Sequence, residues 1–297
     1  MTVLALEIGD GRFAACRVAP DVGTDQVRRI SYPARAAWDS CRDLLMEVSA
    51  GGNVDAVGIA CTGPIDMAAG VVAPTEIPEW RAGFAIVEAV RKVFPAATVP
   101  LALDGACLAV AEQNFGATQG VMDTVTISVS DRISGGLTVG GFTVVGRTGN
   151  AGSIGHTLVP GYDERCECGG RGCLEAVAGG GAAVRWASTQ GWRGSSVAEL
   201  ARDAQGGNDI AVAAVGRAGT ALGRAIASAA ALLDVDLVVV GGTMAAAGRA
   251  LWKPLGEAVT AHAKQAYLPA LRVVPSTLGE VGVLAGAGVL AATVAGD

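Results

Sequence analysis

Basic residues are in the minority. There are 22 lysines and arginines against 28 aspartates and glutamates, a formal net charge of −6 over 297 residues. That balance does not serve general binding to a phosphate backbone, which calls for a basic surface. Charge of either sign is scarce, at 17% of residues, while 51% are hydrophobic. Such a chain buries substantial cores and lacks the composition of a disordered one. The opening MTVLALEIGDGRF has neither the basic region nor the full apolar stretch of a secretory signal. The longest apolar run, VGVLAGAGVLAATVAG at 281–296, lies between Glu280 and Asp297. It is short for a membrane span, so a buried helix is expected. The seven cysteines, three of them clustered, suit a reducing cytoplasm better than a disulfide scaffold.

Short alternating runs open the chain: TVLALEIG, RFAACRVAP and QVRRISYP read as strands separated by turn residues. AWDSCRDLLMEVSAGG reads as a helix ending at paired glycines, VDAVGIAC as a buried strand, FAIVEAVRKVF as a helix, VPLALD as a strand and ACLAVAEQNFG as a helix. Near residue 118 the pattern restarts, with strands expected at DTVTISVS, GGLTVG and FTVVG and, after several helices, at VDLVVVGG and ALRVVP. Two α/β domains of similar plan are therefore expected, 1–118 joined by the helix at 281–296, and 119–280 carrying a loop at 156–175. Small ligands commonly bind in clefts between such domains. The chain opens directly on a strand, which leaves no room for an N-terminal helix-turn-helix; neither nucleic acid nor membrane is an expected partner.

One of only two histidines, His156, precedes Cys166, Cys168 and Cys173 in HTLVPGYDERCECGGRGC. Gly169, Gly170 and Gly172 permit turns tight enough to bring three sulfurs together. Three thiolates and one imidazole make a closed tetrahedral zinc site; the competing account is free thiols in a surface loop beside a lone histidine. Cys16, Cys41, Cys61 and Cys107 each stand in an apolar pattern and read as core packing.

AGSIGHTLV followed by CECGGRGCLE resembles the signature of the ROK family of sugar kinases and sugar-responsive repressors. GIACTGPIDMAAGVV, LALDGACLAVAEQNFGA and VVVGGT resemble further family segments, so the likeness spans nearly the whole chain. It implies the two-domain actin-like, hexokinase-like (ribonuclease H-like) α/β fold with an interdomain cleft. It also implies a structural zinc ion, homodimers or larger homo-oligomers, and, in an active kinase, ATP with Mg2+. By resemblance His156 is both metal ligand and sugar neighbour, and Glu175 accepts a sugar hydroxyl, although a carboxylate there also suits a helix N-terminus. Asp104 occupies the family's general-base position, where it would take the proton of a sugar hydroxyl attacking the γ-phosphate; a plain helix cap is the alternative.

Several family positions have changed. Leu103 replaces an asparagine and Ser153 a glutamate, both sugar-binding in the family. Glu76 stands where the family has asparagine, either meeting hydroxyls or sitting as a solvated loop charge. In the first phosphate loop, Asp-x-Gly-Gly-Thr has become Glu7-Ile8-Gly9-Asp10-Gly11. In the second, Gly-Thr-Gly-Ile-Gly-Gly has become Ser130-Asp131-Arg132-Ile133-Ser134-Gly135, followed by Gly136. A like charge about 4 Å from a phosphate costs roughly 1–4 kcal/mol. The adenosine turn, Gly241-Gly242-Thr243, is kept, but Gly-Gly after a buried strand is also an ordinary turn. Two readings follow. One is a degenerate relative that binds a sugar or cyclitol-like ligand with weak or no ATP-dependent phosphorylation. The other is an active ATP-dependent hexose or cyclitol kinase with Asp104 as base.

Overall fold

The computed structural model describes residues 1–19 and 26–296. Pro20, at the end of the expected strand RFAACRVAP, and Asp297 lie outside the described residues. The chain divides into two compact units. One comprises Met1–Phe115, Thr143–Gly152 and Glu280–Asp297; the other comprises Gly116–Phe142 and Ser153–Gly279.

The first unit contains β1 (Val3–Gly9), β2 (Arg12–Arg17), β3 (Arg28–Ser31), α1 (Ala37–Ser49), β4 (Ala56–Cys61), the short pair β5 (Ile65–Asp66) and β6 (Val71–Val72), α2 (Ile86–Val93), β7 (Leu101–Leu103) and α3 (Asp104–Phe115). Its sheet runs β3-β2-β1-β4-β7. β1 is antiparallel to β2 and parallel to β4, and β4 is parallel to β7. Every residue of β1 and β4 is buried, as expected of central strands covered on both faces. Helix Gly282–Gly296 packs on β1, β4 and α3. The approach is close: a Cβ at Gly286 would stand 1.7 Å from the Cys107 carbonyl oxygen, and one at Gly58 would stand 1.9 Å from that of Ala287. This helix is buried along one face, through Leu284, Ala287, Gly288 and Ala291, rather than throughout. Cys16, Cys41, Cys61 and Cys107 all lie in this unit's core. Phe13 contacts Tyr32 and Trp80, and Trp80 stacks on Phe84 with ring centroids 4.5 Å apart, which fixes the segment after Glu76 against β2.

The second unit contains β8 (Thr124–Val129), β9 (Ile133–Val139), β10 (Phe142–Thr143), α4 (Leu174–Ala178), α5 (Gly180–Thr189), α6 (Val197–Gln205), α7 (Asp209–Leu233), β11 (Leu237–Gly241), α8 (Arg249–His262) and β12 (Arg272–Pro275). Its sheet runs β10-β9-β8-β11-β12, with β8, β11 and β12 parallel. The expected strand FTVVG is only two residues long, because Val144 onward leaves the ladder. α6 starts with a capping box between Ser196 and Glu199. At the start of α7 the Asn208 side chain accepts from the Ala211 N–H at 3.0 Å. By length and composition α7 and the stretch Gly279–Gly296 would both pass for membrane spans. In the fold, α7 packs against α8, α6, α4 and α5, and the other stretch packs as described above.

Candidate metal centre and phosphate-loop sites

Parallel strands bring chemistry to their carboxyl ends. In the first unit Ile8 pairs with Cys61 and Cys61 with Leu103, so Gly9, Thr62 and Asp104 follow at one level of the sheet edge. Gly9 pairs with Arg12 across a two-residue turn, Asp10-Gly11, with φ of 49° and 71°. Asp-Gly with both φ positive is a favoured type I′ hairpin turn, so Asp10 has a conformational reason to be there. Asp104 is the first residue of α3 and is buried, and its Oδ1 accepts from the Gly105 N–H at 2.6 Å. Leu103 is buried against Gly63, with its Cδ1 2.8 Å from where a Cβ of that glycine would stand. Glu76 is half-buried; its charge helps raise the Tyr32 hydroxyl and the Cys61 thiol, though burial is the first cause for both.

Glu7 lies on β1, 6% exposed. Burial first, then the Asp10 charge, lift its carboxyl from 4.5 to about 8; Arg12 and Arg29 pull it down, and Asp104 pushes it up further. Between those two pH values the folded chain holds a proton that the unfolded chain releases, so stability falls as pH rises from about 4.5 to about 8. Glu7→Gln removes this slope. Its thermal midpoint, compared with that of the unmodified protein, is expected to rise by roughly 3–8 °C at pH 8 and to change little at pH 5. Equal shifts at both pH values would contradict the assignment.

In the second unit β8 and β9 turn over through Ser130, Asp131 and Arg132. The Ser130 N–H donates to the Arg132 carbonyl at 3.0 Å, and Ser130 Oγ accepts from the Thr243 N–H at 3.2 Å. This ties the turn to Gly241-Gly242-Thr243 at the carboxyl end of β11. Gly180 and Gly181 donate to the carbonyls of Ser130 and Asp131, both at 2.9 Å. Gly135 lies within β9, opposite Ile127, rather than in the turn. Gly242 has φ 87° and no room for a side chain, since a Cβ would stand 2.5 Å from the Val129 carbonyl oxygen. Packing alone therefore requires this glycine.

The turn also reaches the 156–175 loop. Glu175, in the first turn of α4, accepts from the Ile133 N–H through Oε2 at 2.7 Å. Burial raises its carboxyl, while the Ile133 N–H and Arg132 lower it. Arg132 Nη1 donates to Glu167 Oε2 at 2.9 Å. Ser153 is exposed at the head of the short turn Ile154–His156, its carbonyl accepting from the His156 N–H at 3.1 Å.

One ligand atom each from His156, Cys166, Cys168 and Cys173 lie within 4.8 Å of one another. His156 Nδ1 is 3.8 Å from Cys166 Sγ, and Cys168 Sγ is 3.8 Å from Cys173 Sγ. Tetrahedral zinc with Zn–S near 2.3 Å places sulfurs roughly 3.8 Å apart, so the donor set fits. The Gly170 N–H donates to Cys168 Sγ at 3.4 Å and lowers that thiol, whereas burial raises the Cys166 and Cys173 thiols and favours neutral His156; thiolate and neutral imidazole are the ligating forms, so metal binding would release protons from the buried cysteines. Among the described residues this is the one such cluster; Glu7, Asp10 and Asp104 do not converge in the same way.

Residues outside the sequence expectations support this loop. Arg171 forms a fork on Asp163, at 2.9 and 2.6 Å. Arg217 pairs with Glu164, donates to the Val177 carbonyl at 3.2 Å and lies 4.9 Å over the Tyr162 ring. Arg224 donates to the Pro160 carbonyl at 2.9 Å. The readable signal was in α7: two arginines seven residues apart, hence on one face of an alanine-rich helix.

Two α/β units of this plan and a Cys3His loop define an actin-like, hexokinase-like protein. A sequence model of the ROK family matches residues 3–294, and the chain belongs to that family. Among curated relatives, the glucokinase of Aeropyrum pernix is 32% identical over 251 residues, covering 77% of each chain. The kanosamine kinase of Amycolatopsis mediterranei is 32% identical over 300 residues, covering 98% of this chain and 96% of its own. Among solved structures, a ROK family glucokinase from Streptomyces griseus, in complex with glucose and AMPPNP, matches with a TM-score of 0.85 at 25% identity. That match covers 99% of this chain and 100% of the other.

Proposed function

We propose that this protein is a ROK sugar-kinase homologue that binds a sugar or cyclitol-like ligand and phosphorylates it weakly or not at all. The observation that carries the reading is the placement of Glu7, buried on β1 next to the turn that holds Asp10. The resemblance makes its position the carboxylate near Mg2+, yet here it is buried, beside Asp10, and raised to about 8. A protonated carboxyl is a poor ligand for a hard cation. Asp10 also brings negative charge to a turn that, by the family pattern, meets phosphate oxygens. Leu103 and Ser153 remove two hydroxyl partners; the ligand would instead meet Glu76, Glu175 and His156. The names of the relatives, a glucokinase, a kanosamine kinase and N-acetylmannosamine kinases, set the class of compounds to try.

His156, Cys166, Cys168 and Cys173 would hold structural zinc, which closes the loop and fixes the His156 ring and the backbone leading to Glu175. In an active kinase Glu7, Gly9, Gly135, Gly241 and Gly242 would, by the resemblance, line the nucleotide site. The second reading, an active kinase using ATP and Mg2+, is supported by one observation: Asp104 begins α3 directly after β7, the position to which the resemblance assigns the base. In that reading Asp104 accepts the proton of the attacking hydroxyl, and Asp104→Ala lowers turnover at least about 100-fold. A cytoplasmic homo-oligomer belongs to the same proposal.

The test is calorimetric titration of glucose, glucosamine, kanosamine, N-acetylmannosamine and inositol without nucleotide, beside a phosphorylation assay with each. Binding of one of them with turnover absent or slow is expected. Rapid phosphorylation that Asp104→Ala abolishes would establish the active kinase instead.

A further inference from the structure

We propose that Arg132 is the cation through which the 130–132 turn receives a phosphoryl oxygen, and that Glu167 holds its guanidinium in a pair that a polyphosphate must displace. The inference rests on reading this turn as an altered phosphate loop. The pair joins two segments that are separately fixed. On one side, Arg132 is the last turn residue before β9, and the next N–H, that of Ile133, is held by Glu175. On the other, Glu167 lies between two cysteines of the metal cluster. Its backbone is set by the Gly169 N–H donating to the Cys166 carbonyl at 3.0 Å and the Cys166 N–H donating to the Gly170 carbonyl at 2.9 Å. The Arg132 side chain is 21% exposed and that of Glu167 59%, so the guanidinium is mostly sheltered while its partner is open to water.

Three neighbouring groups matter, one of them His156, whose ring feels the Arg132 charge. Asp131 precedes Arg132 and is exposed, which screens its field. Glu175 feels Arg132 as a favourable charge, but it already accepts from the Ile133 N–H. Glu167, paired with Arg132 at 2.9 Å, is an ion-pair partner that would compete with an incoming anion. A guanidinium prefers planar, bidentate recognition of phosphate. A pair with one partner this exposed is weak, so displacement by a polyanion is within reach. Linkage then runs both ways: what loosens Glu167 strengthens anion binding, and a bound anion frees Glu167 from Arg132.

The experiment is a titration with the magnesium complex of a non-hydrolysable ATP analogue at fixed ionic strength, with zinc content measured for each protein. Four proteins are compared: unmodified, Glu167→Gln, Arg132→Gln and the double variant. Glu167→Gln is expected to tighten binding about two- to fivefold, and Arg132→Gln to weaken it. In the Arg132→Gln background, Glu167→Gln should change nothing. That last arm separates displacement from simple removal of a nearby negative charge, which would act in both backgrounds. Equal effects in both backgrounds, or weaker binding by Glu167→Gln, would overturn the proposal. Glu167→Ser serves in its place if the glutamine variant loses zinc. No binding by any of the four sinks this inference and leaves the proposed function standing. Tight binding by the unmodified protein sinks the proposed function while the ratio between variants still decides this one.

Discussion

Cys168→Ser, or exhaustive chelation of the unmodified protein, is expected to release the metal, lower the thermal midpoint by on the order of 10 °C and open the 156–175 loop to amide exchange. The expectation follows from what the loop otherwise lacks. Its contacts are turns, two isolated β-bridges, the Arg171–Asp163 fork and the Arg132–Glu167 pair at the surface, the bond from the Ile133 N–H to Glu175 and the anchors from Arg217 and Arg224 on α7. No apolar core runs through 163–171, where only Cys166 is buried. In Cys168→Ser the three thiolates and one imidazole would be replaced by two thiols, a hydroxyl and an imidazole packed within a few ångströms, and after chelation by three thiols and an imidazole, sets with little mutual affinity. Amide exchange should rise at 163–172 and less at β8 and β11, which belong to the sheet. Metal analysis of freshly purified protein should give one zinc per chain; finding none, or an unchanged midpoint for Cys168→Ser, would remove the metal from the account.

The second large effect concerns nucleotide. Asp10→Gly is expected to tighten magnesium-ATP binding about tenfold, and Asp131→Gly only about twofold. The difference comes from burial. Asp10 is half-buried and acts on Glu7, whereas Asp131 is exposed and screened by water. Removing Asp10 does two things at once: it takes a like charge away from the phosphates, and it lets Glu7 ionise at lower pH, where it can meet a cation. Glycine keeps the positive φ of 49° at position 10. Restoring the family threonine at position 11 would instead force a β-branched residue to φ 71°, a strained conformation, so the test leaves Gly11 in place. Equal gains from both variants would show that the burial argument is wrong.

Much of this was legible in the sequence. The Cys3His spacing with its glycines identified the cluster that the structure assembles, because tight turns leave few other ways to place the sulfurs. Most strands and helices were read within a few residues, since β1 and β4 are nearly continuous apolar runs and α1 is followed by Gly51 and Gly52. Other features were not legible. Residues 143–152 belong to the first unit, where the Asn150 side chain bonds both the N–H and the carbonyl of Ile65 and the Met67 N–H donates to the Thr148 carbonyl; no local pattern announces a clasp between residues so far apart in the chain. Asp10 read as a charge problem, and the structure adds that Asp-Gly is also the turn the hairpin requires. The pair between Arg132 and Glu167 joins two loops whose own sequences are silent about it.

Titration of the unmodified protein with magnesium-ATP at neutral pH, with and without a hexose that binds, tests the central claim most directly. A dissociation constant in the millimolar range or no binding is expected, because both turns that the proposal reads as phosphate loops carry an aspartate and burial beside Asp10 raises the Glu7 carboxyl to about 8. Micromolar binding, followed by hexose phosphorylation that disappears in Asp104→Ala, would contradict it and establish an active kinase.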